Sequence, residues 1–177
     1  RPVCTELPLH NGTEGLVADM LGVTPLGDII LVEVKLGQNA ESRREVVAQL
    51  LDYAAAIRGL TCHELEQAVR RASRSRLQFP ADTLYSTIGE SGGLDSEAFI
   101  DRVDRNLALG RILLMIIVDR VRPSLEKLVA SLRDEPALPF EIALVEVACF
   151  RDGDRQLLVA PRPAISLCIR CVRVIRS

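Results

Sequence analysis

The run Asp28-Ile29-Ile30-Leu31-Val32-Glu33-Val34-Lys35 closes an otherwise apolar stretch with two opposite charges. Its Ile, Leu and Val content predicts a β-strand with a buried face. Side chains alternate along a strand, so Glu33 and Lys35 point to the same side. Setting a carboxylate and an ammonium into an apolar strand is costly unless they pair, bind a metal or serve chemistry. The chain holds two lysines, Lys35 and Lys127, against twenty arginines. Where nearly every basic position is Arg, a Lys marks a place that wants a compact point charge instead of a planar fork.

Working outward from this strand, residues 16–23 predict a preceding strand, joined to 28–36 through Thr24-Pro25-Leu26-Gly27, a turn with Pro and Gly placed as a hairpin requires. A short strand over 3–9 comes before them. A helix is predicted from about 41 to 58, capped by Ser42-Arg43-Arg44-Glu45 or by Asn39. Val46, Val47, Leu50, Leu51, Ala54 and Ala55 recur at helical spacing as its buried face, and Gly59 stops it. A more polar helix is expected over 62–72.

Residues 73–95, rich in Ser, Arg and Gly, predict a long loop or mobile flap. A helix over 96–109 follows, with Phe99, Ile100, Val103 and Leu107 inward and Gly110 as its terminator. The apolar run 112–118 predicts a central strand, and Pro123 opens a helix to 132. Strands are expected over 140–150, 155–160 and 165–175. Strands first, then alternating helices and strands, then more strands predict one α/β (α+β) domain over 1–177, a mixed sheet flanked by helices with extra C-terminal strands. Its core would span about 3–58, the flap about 73–95 and a C-terminal α/β half about 96–177.

Composition excludes several classes. At 48% hydrophobic and 26% charged, the chain is globular and not disordered. No apolar run reaches membrane-spanning length, and no signal peptide is read, so a cytoplasmic location is expected. The chain opens at Arg1, so a leading segment is expected to be missing. A net charge of −2 gives no bulk electrostatic attraction to nucleic acid. The odd set of cysteines (Cys4, Cys62, Cys149, Cys168, Cys171) reads as reduced structural thiols; Cys168-Ile-Arg-Cys171 lies in a predicted strand and has no second ligand pair for zinc.

Asp19 lies fourteen residues before Glu33, across the predicted hairpin. On neighbouring strands Asp19, Glu33 and Lys35 would converge at one end of the sheet. Two carboxylates with nearby carbonyls form the hard-oxygen set that Mg²⁺ or Mn²⁺ prefers. Such an ion would stabilise charge on a phosphate and acidify a water, which Lys35 would orient or help deprotonate.

With these residues the chain resembles the PD-(D/E)xK nuclease superfamily, whose signature is an Asp on one strand and Glu/Asp-x-Lys on the next; here they are Asp19 and Glu33-Val34-Lys35. RecB-like members carry Gln-x-x-x-Tyr in the following helix, matched by Gln49-Leu50-Leu51-Asp52-Tyr53. Residues i and i+4 are helix neighbours, so both can face the strand of Glu33. The matched stretch runs from about 12 to 56. One departure is Ala18 before Asp19, where the family often has Pro.

The resemblance implies a restriction-endonuclease-like fold and a metal-dependent endonuclease-like hydrolase acting on phosphodiester bonds, in DNA. Asp19, Glu33 and the Val34 carbonyl would hold Mg²⁺ or Mn²⁺, Lys35 would serve the attacking water, and Gln49 and Tyr53 would support the site. An additional acid is unplaced, with Glu6 and Glu14 nearby. The alternative is a catalytically inactive module of the same fold that binds nucleic acid or a protein partner. A homodimer is compatible with either reading. Arg43, Arg44, Arg70, Arg71, Arg74 and Arg76 would form a phosphate-contacting rim near the flap, or solvated helix faces. Glu146, odd in an apolar strand, is expected to pair with an Arg, or else to line the cleft.

Overall fold

A computed structural model of the chain describes residues 1–10, 15–35, 43–78, 81–152 and 155–163. Seven strands form one mixed sheet in the order β4-β1-β2-β3-β5-β6-β7. The strands are β1 Pro2–His10, β2 Gly15–Val23, β3 Ile29–Lys35, β4 Arg74–Ser75, β5 Ile112–Val118, β6 Glu141–Asp152 and β7 Arg155–Pro163. The helices are α1 Arg43–Ile57, α2 Cys62–Arg71, α3 Leu84–Thr87, α4 Ser96–Leu109 and α5 Pro123–Arg133.

The first three strands form an antiparallel meander. At the β2–β3 turn the Thr24 N–H donates to the Asp28 carbonyl at 2.9 Å, and Gly27 takes φ +83°, which a residue with a Cβ adopts only under strain. From β3 the chain crosses through α1 to α4 and returns as β5, parallel to β3, with Ile29 beside Ile112 and Lys35 beside Val118. It then crosses through α5 to β6, parallel to β5. The C-terminal ends of β3, β5 and β6 therefore lie together at one edge of the sheet.

Alternation carries the core. Ile112, Leu114, Ile116 and Val118 are buried, while Leu113, Met115 and Ile117 between them are half-buried. Ile29 and Leu31 share the face of the first set by register. Burying side chains of this size is worth about 1.5–3 kcal/mol each. Phe99, Val103 and Leu107 of α4 pack into the same cluster, and Gly110 ends the helix at φ +68°.

Four expectations are corrected. The segment 73–95 is not a structureless loop: it contains β4, α3 and a 3-10 turn at Gly89–Gly92, and it buries Leu77, Leu84 and Ile88. A Thr83–Ser86 capping box starts α3, so serines and threonines that read as loop chemistry serve as caps. Helix α1 buries Val46, Val47, Leu50 and Ala54 as expected, but its inner face also takes in Tyr53, Ala56 and Ile57 and leaves Leu51 and Ala55 exposed. In α4, Ile100 is 40% exposed and Asn106 takes an inner place, its amide donating to the Gly27 carbonyl at 2.9 Å. Glu146 accepts the Val121 N–H at 2.8 Å, a backbone partner in place of the expected Arg. The caps proposed at Asn39 and Ser42, Glu14 and the strand over 165–175 with Cys168 and Cys171 lie outside the described residues.

Candidate active site

Glu33 is 1% exposed, in line with Ile29 and Leu31 on the buried face of β3. Such a carboxylate must be satisfied by its neighbours. Lys35 Nζ stands 2.6 Å from Oε1, with the lysine side chain 38% exposed. The Tyr53 hydroxyl lies 3.0 Å from Oε2. Period two in β3 put Glu33 and Lys35 on one face, and the buried side of α1 brings Tyr53 over it.

Asp19 joins from β2. The β2–β3 register runs from Val23–Ile29 to Met20–Val32. One step further Asp19 would stand opposite Glu33, on the face of Leu21 and Leu31. At that step side chains take over from the ladder: the Asp19 Oδ2 accepts the Val34 N–H at 2.7 Å. The Val17 carbonyl likewise accepts from the Tyr53 hydroxyl at 2.7 Å. Gln49 Nε2 donates to the same hydroxyl oxygen at 2.7 Å.

The structure thus brings Asp19, Glu33, Lys35, Gln49 and Tyr53 to one place, with the Val34 backbone held by Asp19. Burial raises the Tyr53 phenol above its ordinary value of 10.0, and the Glu33 and Asp19 charges push it the same way. Tyr53 is therefore a neutral donor at physiological pH. Two partners were not assigned from the sequence. The Val17 carbonyl is a backbone group with no sequence signal, and Glu146 signalled itself only as an acid in an apolar strand.

The residues that could hold a hard cation are the carboxylates of Asp19 and Glu33, both of which already have protein partners. A carboxylate offers about four lone-pair positions, and the Val34 N–H takes one of those of Asp19. Among the described residues no group of three or more His, Cys, Asp or Glu side chains could hold a metal ion. Two carboxylates, completed by a carbonyl, waters and substrate oxygens, match the sparse protein coordination that Mg²⁺ accepts. Glu6, exposed on β1, falls in register beside Asp19, between the Thr5–Met20 and Leu7–Ala18 pairs, with φ +55°.

The described members of the proposed arginine rim lie around β4, three strands from β3. Arg70 donates to the Asp82 carbonyl and ties α2 to the segment that follows it. Arg71, Arg74 and Arg76 are exposed near β4, at the sheet edge away from β3. The side chains of Arg43 and Arg44 lie outside the described ones. Among the described residues no helix is long and apolar enough to cross a membrane. No protein-family model matches the chain, and neither the curated proteins nor the solved structures contain a match to it.

Proposed function

We propose that the chain is a metal-dependent phosphodiester hydrolase of the PD-(D/E)xK type acting on DNA. The observation that carries this reading is a fully buried glutamate paired with one of two lysines, beside an aspartate on the neighbouring strand. The order of an acid strand, a Glu-x-Lys strand, a Gln/Tyr helix and a parallel strand beyond supports the restriction-endonuclease-like fold. Two buried free thiols, Cys4 and Cys62, suit a reducing cytoplasm.

In this reading Asp19 and Glu33, with the Val34 carbonyl, hold Mg²⁺ or Mn²⁺. The cation supplies positive charge where the scissile phosphate gains negative charge. Lys35, anchored by Glu33 and open to solvent, orients the attacking water. Tyr53 and Gln49 fix the Glu33 carboxylate, so its position costs no rearrangement during reaction. The buried apolar rows of β3 and β5 hold the backbone beneath it.

The test is incubation of single-stranded, duplex and branched DNA with and without Mn²⁺. Lys35→Ala and Glu33→Ala should abolish cleavage while leaving a cooperative unfolding transition. Full cleavage by either purified variant would refute the assignment.

The second reading is a catalytically inactive module of the same fold. For such a module the net charge of −2 and 3% aromatic content speak against nucleic acid as the partner and leave protein contact, since neither helps to hold bare nucleic acid. Calorimetric titration with Mn²⁺ separates the two: binding lost in Asp19→Asn supports the enzyme, and absence of binding in the wild type supports the module.

A further inference from the structure

The crossover from β5 to α5 places an unused charged segment beside this site. Residues 119–122 leave the C-terminal end of β5, the strand next to β3. In register Lys35 stands beside Val118, and Val118 beside Glu146 on β6. Adjacent strands are about 4.8 Å apart, so residues 119–122 begin within one strand spacing of the end of β3. In open α/β sheets this carboxyl edge of the parallel strands is where ligands are bound.

Glu146 determines how the segment sits. Its half-buried carboxylate accepts the Val121 N–H at 2.8 Å, between Arg120 and Arg122. A charge-assisted bond of this kind fixes the backbone of the two arginines relative to the sheet. Arg120 is exposed and Arg122 half-buried, and among the described residues neither belongs to an ion pair. With Lys35, which is paired to Glu33, they place three cations at one edge of a protein whose net charge is −2, and Asp119 is the one acid within the segment itself. The arginines of β4 stand three strands from β3 on the other side, so residues 119–122 are the nearer source of positive charge.

We propose that residues 119–122, pinned to β6 by Glu146, are the arm of this site that holds a nucleic-acid phosphate through Arg120 and Arg122. The assignment rests on the nuclease reading of Asp19, Glu33 and Lys35, whose substrate must be gripped at phosphates flanking the reacting one. Arg presents a planar fork suited to phosphate oxygens, and such contacts set register on the duplex without reading sequence. Glu146 is a positioning residue here, acting through the Val121 backbone.

The experiment measures anisotropy of a short fluorescein-labelled DNA duplex in Ca²⁺ and in EDTA, across a salt series, with the full chain. Arg120→Ala should weaken binding about tenfold, the loss of one charged hydrogen-bond partner, and lower the log K against log salt slope by about one. The double variant with Arg122→Ala should lose about twice that slope. Arg111→Ala, at the opposite end of β5, should bind as wild type does. Glu146→Gln, which keeps an acceptor for Val121, should retain binding that Glu146→Ala loses, at unchanged salt slope.

Wild-type affinity and slope in Arg120→Ala and in the double variant would overturn the proposal, as would equal losses in Arg111→Ala. Failure of the wild type to bind the duplex would overturn it too. Arginine-dependent binding by a protein that cleaves nothing in Mn²⁺ would instead keep the arm and sink the nuclease reading.

Discussion

One phenol hydrogen serves two acceptors at the centre of the site. The Tyr53 oxygen is 2.7 Å from the Val17 carbonyl and 3.0 Å from Glu33 Oε2, and it accepts from Gln49. The hydrogen can point at only one of the two oxygens at a time, so the ring couples β2 to β3 through a shared proton. Tyr53→Phe preserves the packing of a fully buried ring but leaves those acceptors without their donor. Its cost should be about 1–3 kcal/mol, read as a lower midpoint in urea unfolding. Gln49→Ala, at a half-buried position where water can replace the amide, should cost less. A Tyr53→Phe protein as stable as wild type would mean that the hydroxyl is solvated in solution. At this scale much was legible beforehand: period two aligned Glu33 with Lys35, and helical spacing aligned Gln49 with Tyr53. The Val34 N–H and Val17 carbonyl were not, because every residue carries such groups and only the parting of two strands exposes them.

Elements were legible where a single period dominates. The apolar run of β5 and the 96–109 span of α4, closed by Gly110, came through because one period dominates each, even though Asn106 displaces Ile100 on the inner face of α4. Helix α1 came through in its span and in Val46, Val47, Leu50 and Ala54, but not in the edge of its buried face, since more than one apolar stripe fits its sequence. The one adopted places Tyr53 against the sheet, where its hydroxyl finds partners, and leaves Leu51 38% exposed. The segment 73–95 misled for another reason: its small polar residues are caps and close contacts. A Cβ on Gly92 would lie 2.0 Å from the Pro25 carbonyl oxygen, so the 3-10 turn packs directly on the β2–β3 turn. Gly92→Ala must move backbone, not merely a side chain. Thr61→Ala removes one capping box of α2 and should cost about 1 kcal/mol. Thermal unfolding should therefore show a larger drop in Tm for Gly92→Ala than for Thr61→Ala. The reverse order would mean that this turn stands off the hairpin.

Among the described residues the core keeps three weak acids neutral on three different elements. Burial pushes the Cys4 thiol on β1 up to about 11 and the Cys62 thiol on α2 up to about 12, the latter helped by the Glu66 and Asp104 charges. Tyr53 on α1 is raised from 10.0 for the reasons given above. In the unfolded chain the thiols ionise near 9.0 and the phenol near 10.0. Above those values the unfolded state has released protons that the folded state still holds, so stability falls as pH rises. Each contribution is fully present below its unfolded value and is lost progressively up to its folded one. For Cys4 the loss runs from 9.0 to about 11. Urea midpoints should therefore be nearly constant through neutral pH as far as these groups are concerned, then decline from about pH 9. Cys4→Ala should lower stability at neutral pH, where a small buried side chain is lost, yet flatten the alkaline decline. The two effects have opposite dependence on pH, and that separates linkage from simple loss of packing. A decline equally steep in Cys4→Ala and wild type would show that this thiol is solvated before the protein unfolds.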